Sequence, residues 1–183
     1  MCVIICGRFG SNEGGESEMT ALKIEDLKGF TSSLFVGEGF DRWLVREASI
    51  ITFNTFSVDG RIRSGYFTEQ ETEENHIKEL SPWKLIRPFC YSLIRGKRLP
   101  ESFRITLQLP AEGVERFLKS VQPEFGAEQV GGLYLNIRYE EQILRCVTGI
   151  SLKVFTMDKR IEQGWDAWMG QFLKEKGIAY MEE

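Results

Sequence analysis

The chain carries one stretch twice. Residues 51–66 read ITFNTFSVDGRIRSGY, and residues 150–165 read ISLKVFTMDKRIEQGW. At an offset of 99, six of the sixteen positions are identical: Ile51/Ile150, Phe56/Phe155, Asp59/Asp158, Arg61/Arg160, Ile62/Ile161 and Gly65/Gly164. Upstream, LKIEDLKGFTSSL (22–34) matches LPAEGVERFLKSV (109–121) at an offset of 87. An internal repeat restricts the fold, because each copy must be one supersecondary unit and the copies must bury their apolar faces together. Each copy reads as short strand, helix, strand, strand. The expectation is an α+β protein with two pseudo-symmetric β-α-β-β units in a mainly antiparallel sheet, plus a linking helix and a C-terminal helix.

Hydrophobic spacing places these elements. Ile24, Leu27, Phe30, Leu34 and Phe35 recur at helical period, predicting a helix over 25–35. Residues 41–58 read as two strands broken near Arg46 to Ala48, and Asp59-Gly60 reads as a two-residue hairpin turn. The return strand is expected through Gly65–Phe67. Residues 68–80 are acidic and read as a solvated loop or frayed helix. Ser81-Pro82 then opens the linking helix, 82–95. FRITLQL alternates as a strand, and Pro110 introduces a helix over 111–121. GGLYLNIRYE and 143–157 follow as strands. In the second copy Lys159 replaces the turn glycine, so a helix is expected from about 159 to 176, with Asp158 as its cap. Repeat unit one thus spans about 20–67 and unit two about 103–157, within a single domain of residues 19–183.

Residues 1–18 differ from the rest. They hold a short apolar patch and then a Gly/Ser/Glu stretch, without the basic start and longer apolar run of a secretory signal. Gly14-Gly15 permits a purine-rich ribosome-binding sequence three codons before Met19. Met19 is therefore expected to be the true start, with 1–18 a translated leader. Cys2 and Cys6 fall in that leader. Cys90 and Cys146 are expected to be buried thiols in a reducing cytoplasm.

Net charge is −4, which offers no global attraction to nucleic acid or to an anionic membrane. No apolar run is long enough for a helical membrane span, and no membrane partner is expected. Reactive signatures are scarce. His76 is the one histidine and sits in the acidic loop, where it reads as exposed. No nucleotide-binding, hydrolase or zinc motif is present, so no cofactor, metal or catalytic residue is expected. Asp41, Glu47, Asp59 and Asp158 border strands and would have to converge to serve a hydrolase or transferase; each also has a structural reading at a turn or cap. The charge feature above background is 81–104. It holds Lys84, Arg87, Arg95, Lys97, Arg98 and Arg104 against Glu101, a local +5, after a local −4 over 67–80. Lys84, Arg87, Arg95, Lys97 and Arg98 are the candidate anion or nucleic-acid contacts. The alternative is a solvated face, with basic residues favoured at a helix C-terminus.

EASIITFNTFSVDGRI, RPFCYSLIRGKRLP, EQVGGLYLNIRYE and TGISLKVFTMDK resemble a family of uncharacterised proteins from clostridial-type bacteria. The resemblance runs from about Met19 to the C-terminal helix. It implies a bacterial, cytoplasmic origin and carries no activity. Two consecutive β-α-β-β units also resemble one domain of a DNA sliding clamp in element order. Clamps line their channel with basic helices, whereas helix 25–35 has only Lys28, and helix 111–121 has Arg116 and Lys119 balanced by acids. The leading expectation is a non-catalytic cytoplasmic binding protein with a protein partner. A clamp-like or nucleic-acid-associated protein, and a small hydrolase or transferase using sheet-edge carboxylates, are the alternatives.

Overall fold

Alternation of apolar and polar residues is the sequence form of a sheet buried on one side, and the strands at 102–108 and over most of 130–140 have that form. In the computed structural model, residues 3–5, 21–74, 77–122 and 124–183 are described. Of the expected leader only residues 3–5 belong to that set, and they form a strand of the sheet; Met19, Cys2, Cys6 and His76 lie outside it. The strands are β1 (Val3–Ile5), β2 (Ala21–Ile24), β3 (Leu44–Ile51), β4 (Thr55–Asp59), β5 (Ser102–Gln108), β6 (Val130–Glu140), β7 (Ile143–Leu152) and β8 (Tyr180–Glu182). They form one antiparallel sheet in the order β4-β3-β5-β6-β7-β2-β8, with β1 paired to the end of β7. The helices are α1 (Leu27–Phe35), α2 (Glu69–Glu74), α3 (Trp83–Ile94), α4 (Ala111–Val121) and α5 (Arg160–Glu175).

Register sorts the side chains into rows. Ala48, Ile105, Ile137, Cys146 and Leu22 lie opposite one another across five strands, and all are buried. Ile50, Phe103, Tyr139 and Leu144 form the next buried row. The larger helices supply the other half of this core through Phe30, Leu34, Trp83, Phe117, Trp165 and Met169. The two fully buried indoles are satisfied by backbone. Trp83 Nε1 donates to Leu34 O at 2.7 Å, and Trp165 Nε1 donates to Tyr134 O at 3.1 Å. These bonds tie α3 to α1 and α5 to β6 without leaving a polar atom stranded.

The α+β reading holds, as do the helices at 111–121, at 83–94 and at the C-terminus. Asp26 caps α1, its Oδ1 accepting from Gly29 N–H at 2.9 Å. The end of α5 follows from Gly177 at φ +70, with Ile178 N–H bonded to Leu173 O at 2.9 Å. The element order β2-α1-β3-β4 recurs as β5-α4-β6-β7, but the matched residues do not follow it: at the offset of 99, β3 falls on β7 and β4 falls on the irregular residues 154–158. The leading strands of the two units have different neighbours: β5 pairs with β3 and β6, and β2 pairs with β7 and β8.

Four local expectations are corrected. Asp59-Gly60 is not a hairpin turn. The chain reverses at 52–54, where Thr52 N–H bonds Asn54 O at 3.0 Å, and β4 ends at Asp59. Gly60 is required for a close approach instead, since a Cβ there would lie 1.8 Å from Val45 O. No return strand forms at 65–67, and β3 runs unbroken from Leu44 to Ile51 with a bulge at Arg46. In the second copy, strand ends at Leu152 and residues 153–157 are irregular. The motif Asp-x-Arg nevertheless takes the same local form twice. Arg61 N–H and guanidinium both bind the Asp59 carboxylate, and Arg160 binds Asp158 in the same manner, each with an Nη2–Oδ2 distance of 2.7 Å.

Candidate functional site

The open face of the sheet carries the polar half of every alternating strand. One register row on it is made of cations. Arg104 of β5 lies opposite Arg138 of β6, Arg138 opposite Arg145 of β7, and Arg145 opposite Lys23 of β2. Strands are spaced about 4.8 Å apart, so four charges of one sign stand along roughly 14 Å. Like charges directly opposite across strands destabilise a sheet. Carboxylates at the margins offset part of that cost. Glu183 approaches Arg145 at 2.6 Å and Lys23 at 3.8 Å, and Glu140 lies 4.0 Å from Arg104. The Arg145 bond holds the Glu183 carboxyl below its usual range. These pairs are solvent-exposed, and pairs of this type are worth little, so an incoming anion can displace them.

Beside the cations on this face runs the row Thr106, Asn136, Val147 and Ala21, and beyond it the row Gln108, Tyr134 and Gly149. Thr106 Oγ1 donates to Asn136 Oδ1 at 3.1 Å, and Asn136 Nδ2 donates to Val147 O at 3.3 Å. Tyr134 is half-buried, with the Arg46 guanidinium 6.0 Å from its ring centroid. The β3 bulge turns Arg46 onto this face.

The residues singled out from sequence separate into two groups. Arg87 is structural. Its Nε lies 2.8 Å from Asp41 Oδ1, and Nη1 donates to Phe35 O at 3.2 Å and Val36 O at 2.7 Å, capping α1. Lys84 is exposed on the first turn of α3. Arg95, Lys97 and Arg98 are exposed in the loop that leads from α3 into β5, and Arg95 lies over the Tyr91 ring at 5.9 Å. Glu101 N–H bonds Ile51 O, which places this loop at the same end of the sheet as the β3–β4 turn. The four carboxylates do not share one site. Asp41 pairs with Arg87, Asp158 with Arg160, and Asp59 with Arg61, while Glu47 faces Asp59 across β3 and β4. Hydrogen bonds from the neighbouring arginines hold both the Asp59 and Asp158 carboxyls at about 2.

Three members of the cation row escaped sequence reading because Lys23, Arg138 and Arg145 are single charges in separate strands. Their alignment depends on register. The available signal was the alternation itself, which puts each on the polar side of its strand. Elsewhere, Thr148 Oγ1 donates to Asp166 Oδ1 in a short hydrogen bond beside a water-sized hollow lined by Gly149, Ile150, Glu162 and Trp165. Burial pushes the Asp166 carboxyl up. Cys90 and Cys146 are buried and free, and burial raises the Cys90 thiol to about 11. No group of three or more metal-ligating side chains occurs among the described residues, and among them no helix is long and apolar enough to cross a membrane.

Together these features define a two-layer α+β protein, helices on one side and a polar sheet face on the other. The chain belongs to DUF5721, a family of unknown function whose model matches residues 33–181. No match was found among curated proteins or among solved structures.

Proposed function

We propose that this is a bacterial cytoplasmic binding protein whose partner is a single-stranded nucleic acid. The observation that carries the reading is the in-register row Arg104–Arg138–Arg145–Lys23 on the open sheet face. Phosphates along a strand recur at about 3.4 Å when stacked, a pitch of the same order as the sheet spacing. Arg46 and Tyr134 add a stacking platform two rows along the same face, about 13 Å from the cations and suited to bases of any identity. Arg95, Lys97 and Arg98 extend the positive surface at the loop entering β5. A clamp-like use of the chain would instead put nucleic acid against α1 and α4, whose few cations favour the sheet face as the binding surface.

Fluorescence anisotropy with labelled single-stranded RNA and DNA tests the reading. Binding is expected at low salt, weakening linearly in log affinity against log salt. The double variant Arg104→Gln/Arg145→Gln is expected to flatten that slope by about 1.4, near 0.7 for each phosphate that these side chains neutralise on a single strand. Absence of binding at low salt would remove the proposal.

A further inference from the structure

We infer that the protein pairs with a second copy of itself through the free edge of β4. Among the described residues no strand covers this edge: Thr55, Ser57 and Asp59 are exposed, and Phe56 and Val58 are half-buried. Two hydrogen bonds fix which backbone groups point outward. Thr52 N–H bonds Asn54 O, and Gly60 N–H bonds Arg46 O, so Ile51/Thr55 and Glu47/Asp59 are non-hydrogen-bonded pairs of the β3–β4 ladder. By alternation Ser57 shares that character. The N–H and C=O groups of Thr55, Ser57 and Asp59 therefore face away from β3, and no backbone partner takes them among the described residues.

Several of the usual defences of an edge are missing. TFSVD contains no lysine and no proline, and the β3–β4 register runs without a bulge. The opposite edge, β8, is only three residues long.

The strand is also complementary to itself. In an antiparallel pair about Ser57, Ser57 exchanges both backbone bonds with the second Ser57, and Thr55 does so with the second Asp59. Phe56 then stands against Val58 as the closely spaced pair, on the side of the sheet where both are half-exposed. Phe53, 85% exposed and edge-on to Phe56 at 5.7 Å, extends that apolar surface. Asp59 brings no bare charge to the seam, because Arg61 holds it at 2.7 Å. Cross-strand pairs of this kind are the stabilising unit of a sheet, and edge addition supplies main-chain bonds as well.

Light scattering on the full chain, over a dilution series, is expected to show a dimer that dissociates on dilution. Ser57→Lys sets two ammonium groups against each other at the dyad and is expected to give a monomer with unchanged circular dichroism, since Ser57 is exposed. Ser57→Cys, with Cys2→Ser and Cys6→Ser, tests the register. Hydrogen-bonded partners lie about 5.5 Å apart at Cα, inside disulfide range. Mild oxidation is expected to cross-link it much faster than Lys153→Cys in the same background. A monomer at all concentrations, a dimer indifferent to Ser57→Lys, or equal cross-linking of the two cysteine variants would each overturn the inference.

Discussion

Glu141 and Gln142 join β6 to β7 with φ of 52 and 62, a two-residue turn in the left-handed region without glycine. Side chains there meet the following carbonyl, at about 1–2 kcal/mol per residue. Replacing Glu141-Gln142 by Asn-Gly is expected to raise stability by about 1 kcal/mol, part of the gain being offset by the greater freedom of glycine when unfolded; denaturant titration measures it. Asp166 gives a prediction with a pH sign. Burial raises its carboxyl, so the native state holds a proton more firmly than the unfolded chain. Its contribution to stability is fully present below the unfolded carboxylate value and is lost as pH rises through the raised one. Asp166→Asn removes this loss. The variant is expected to gain on the natural protein from acid toward neutral pH, as read by thermal melts in a buffer series. Asp59 and Asp158 act in the opposite sense: their carboxyls are lowered, so their contribution is present above the usual carboxylate range and lost toward pH 2.

Helices were the most legible elements, and the reason is local. Pro110 and Pro82 open α4 and α3, and Gly177 closes α5, so each boundary is written in residues that act on their own neighbours. Strand boundaries in unit one were not legible, because Asp59-Gly60 has the composition of a tight turn. Its glycine answers a tertiary demand, the approach of Val45 O, which no local rule reveals. Arg87 shows the same limit at the site. In sequence it is one of six cations in a basic segment; in the fold it locks α3 to α1, with side chains of the Arg87–Asp41 pair only 18% and 14% exposed. Arg87→Met is expected to destabilise the protein by about 3 kcal/mol, the lower end for a buried charge left unpaired. Adding Asp41→Asn is expected to recover part of that loss, and the double-mutant cycle by chemical denaturation measures the coupling.

For the molecule as a whole, the alternation of polar and apolar positions made a one-sided sheet readable, and with it the division into helix layer and open face. The order of strands was not readable, since β2 crosses to pair with β7 rather than with the strands that follow it. The cation row depends on that crossing. Lys23 joins Arg145 only because β2 inserts beside β7, and Arg104 joins Arg138 only because β5 lies beside β6. A chain with net charge −4 thereby gathers a positive band that its overall composition conceals.

Ser57 occupies the same register line as those cations, through Ser49 to Arg104. A twofold axis at Ser57 stands perpendicular to the sheet, so both copies would turn their open faces the same way and their lines would meet end to end. The dimer would carry two cationic runs on one line, separated by a neutral stretch of about 24 Å made of Ser49 and Ser57 from each copy. Its nucleic-acid footprint would double on dimerisation, and Ser57→Lys would halve that footprint while each half kept its own grip.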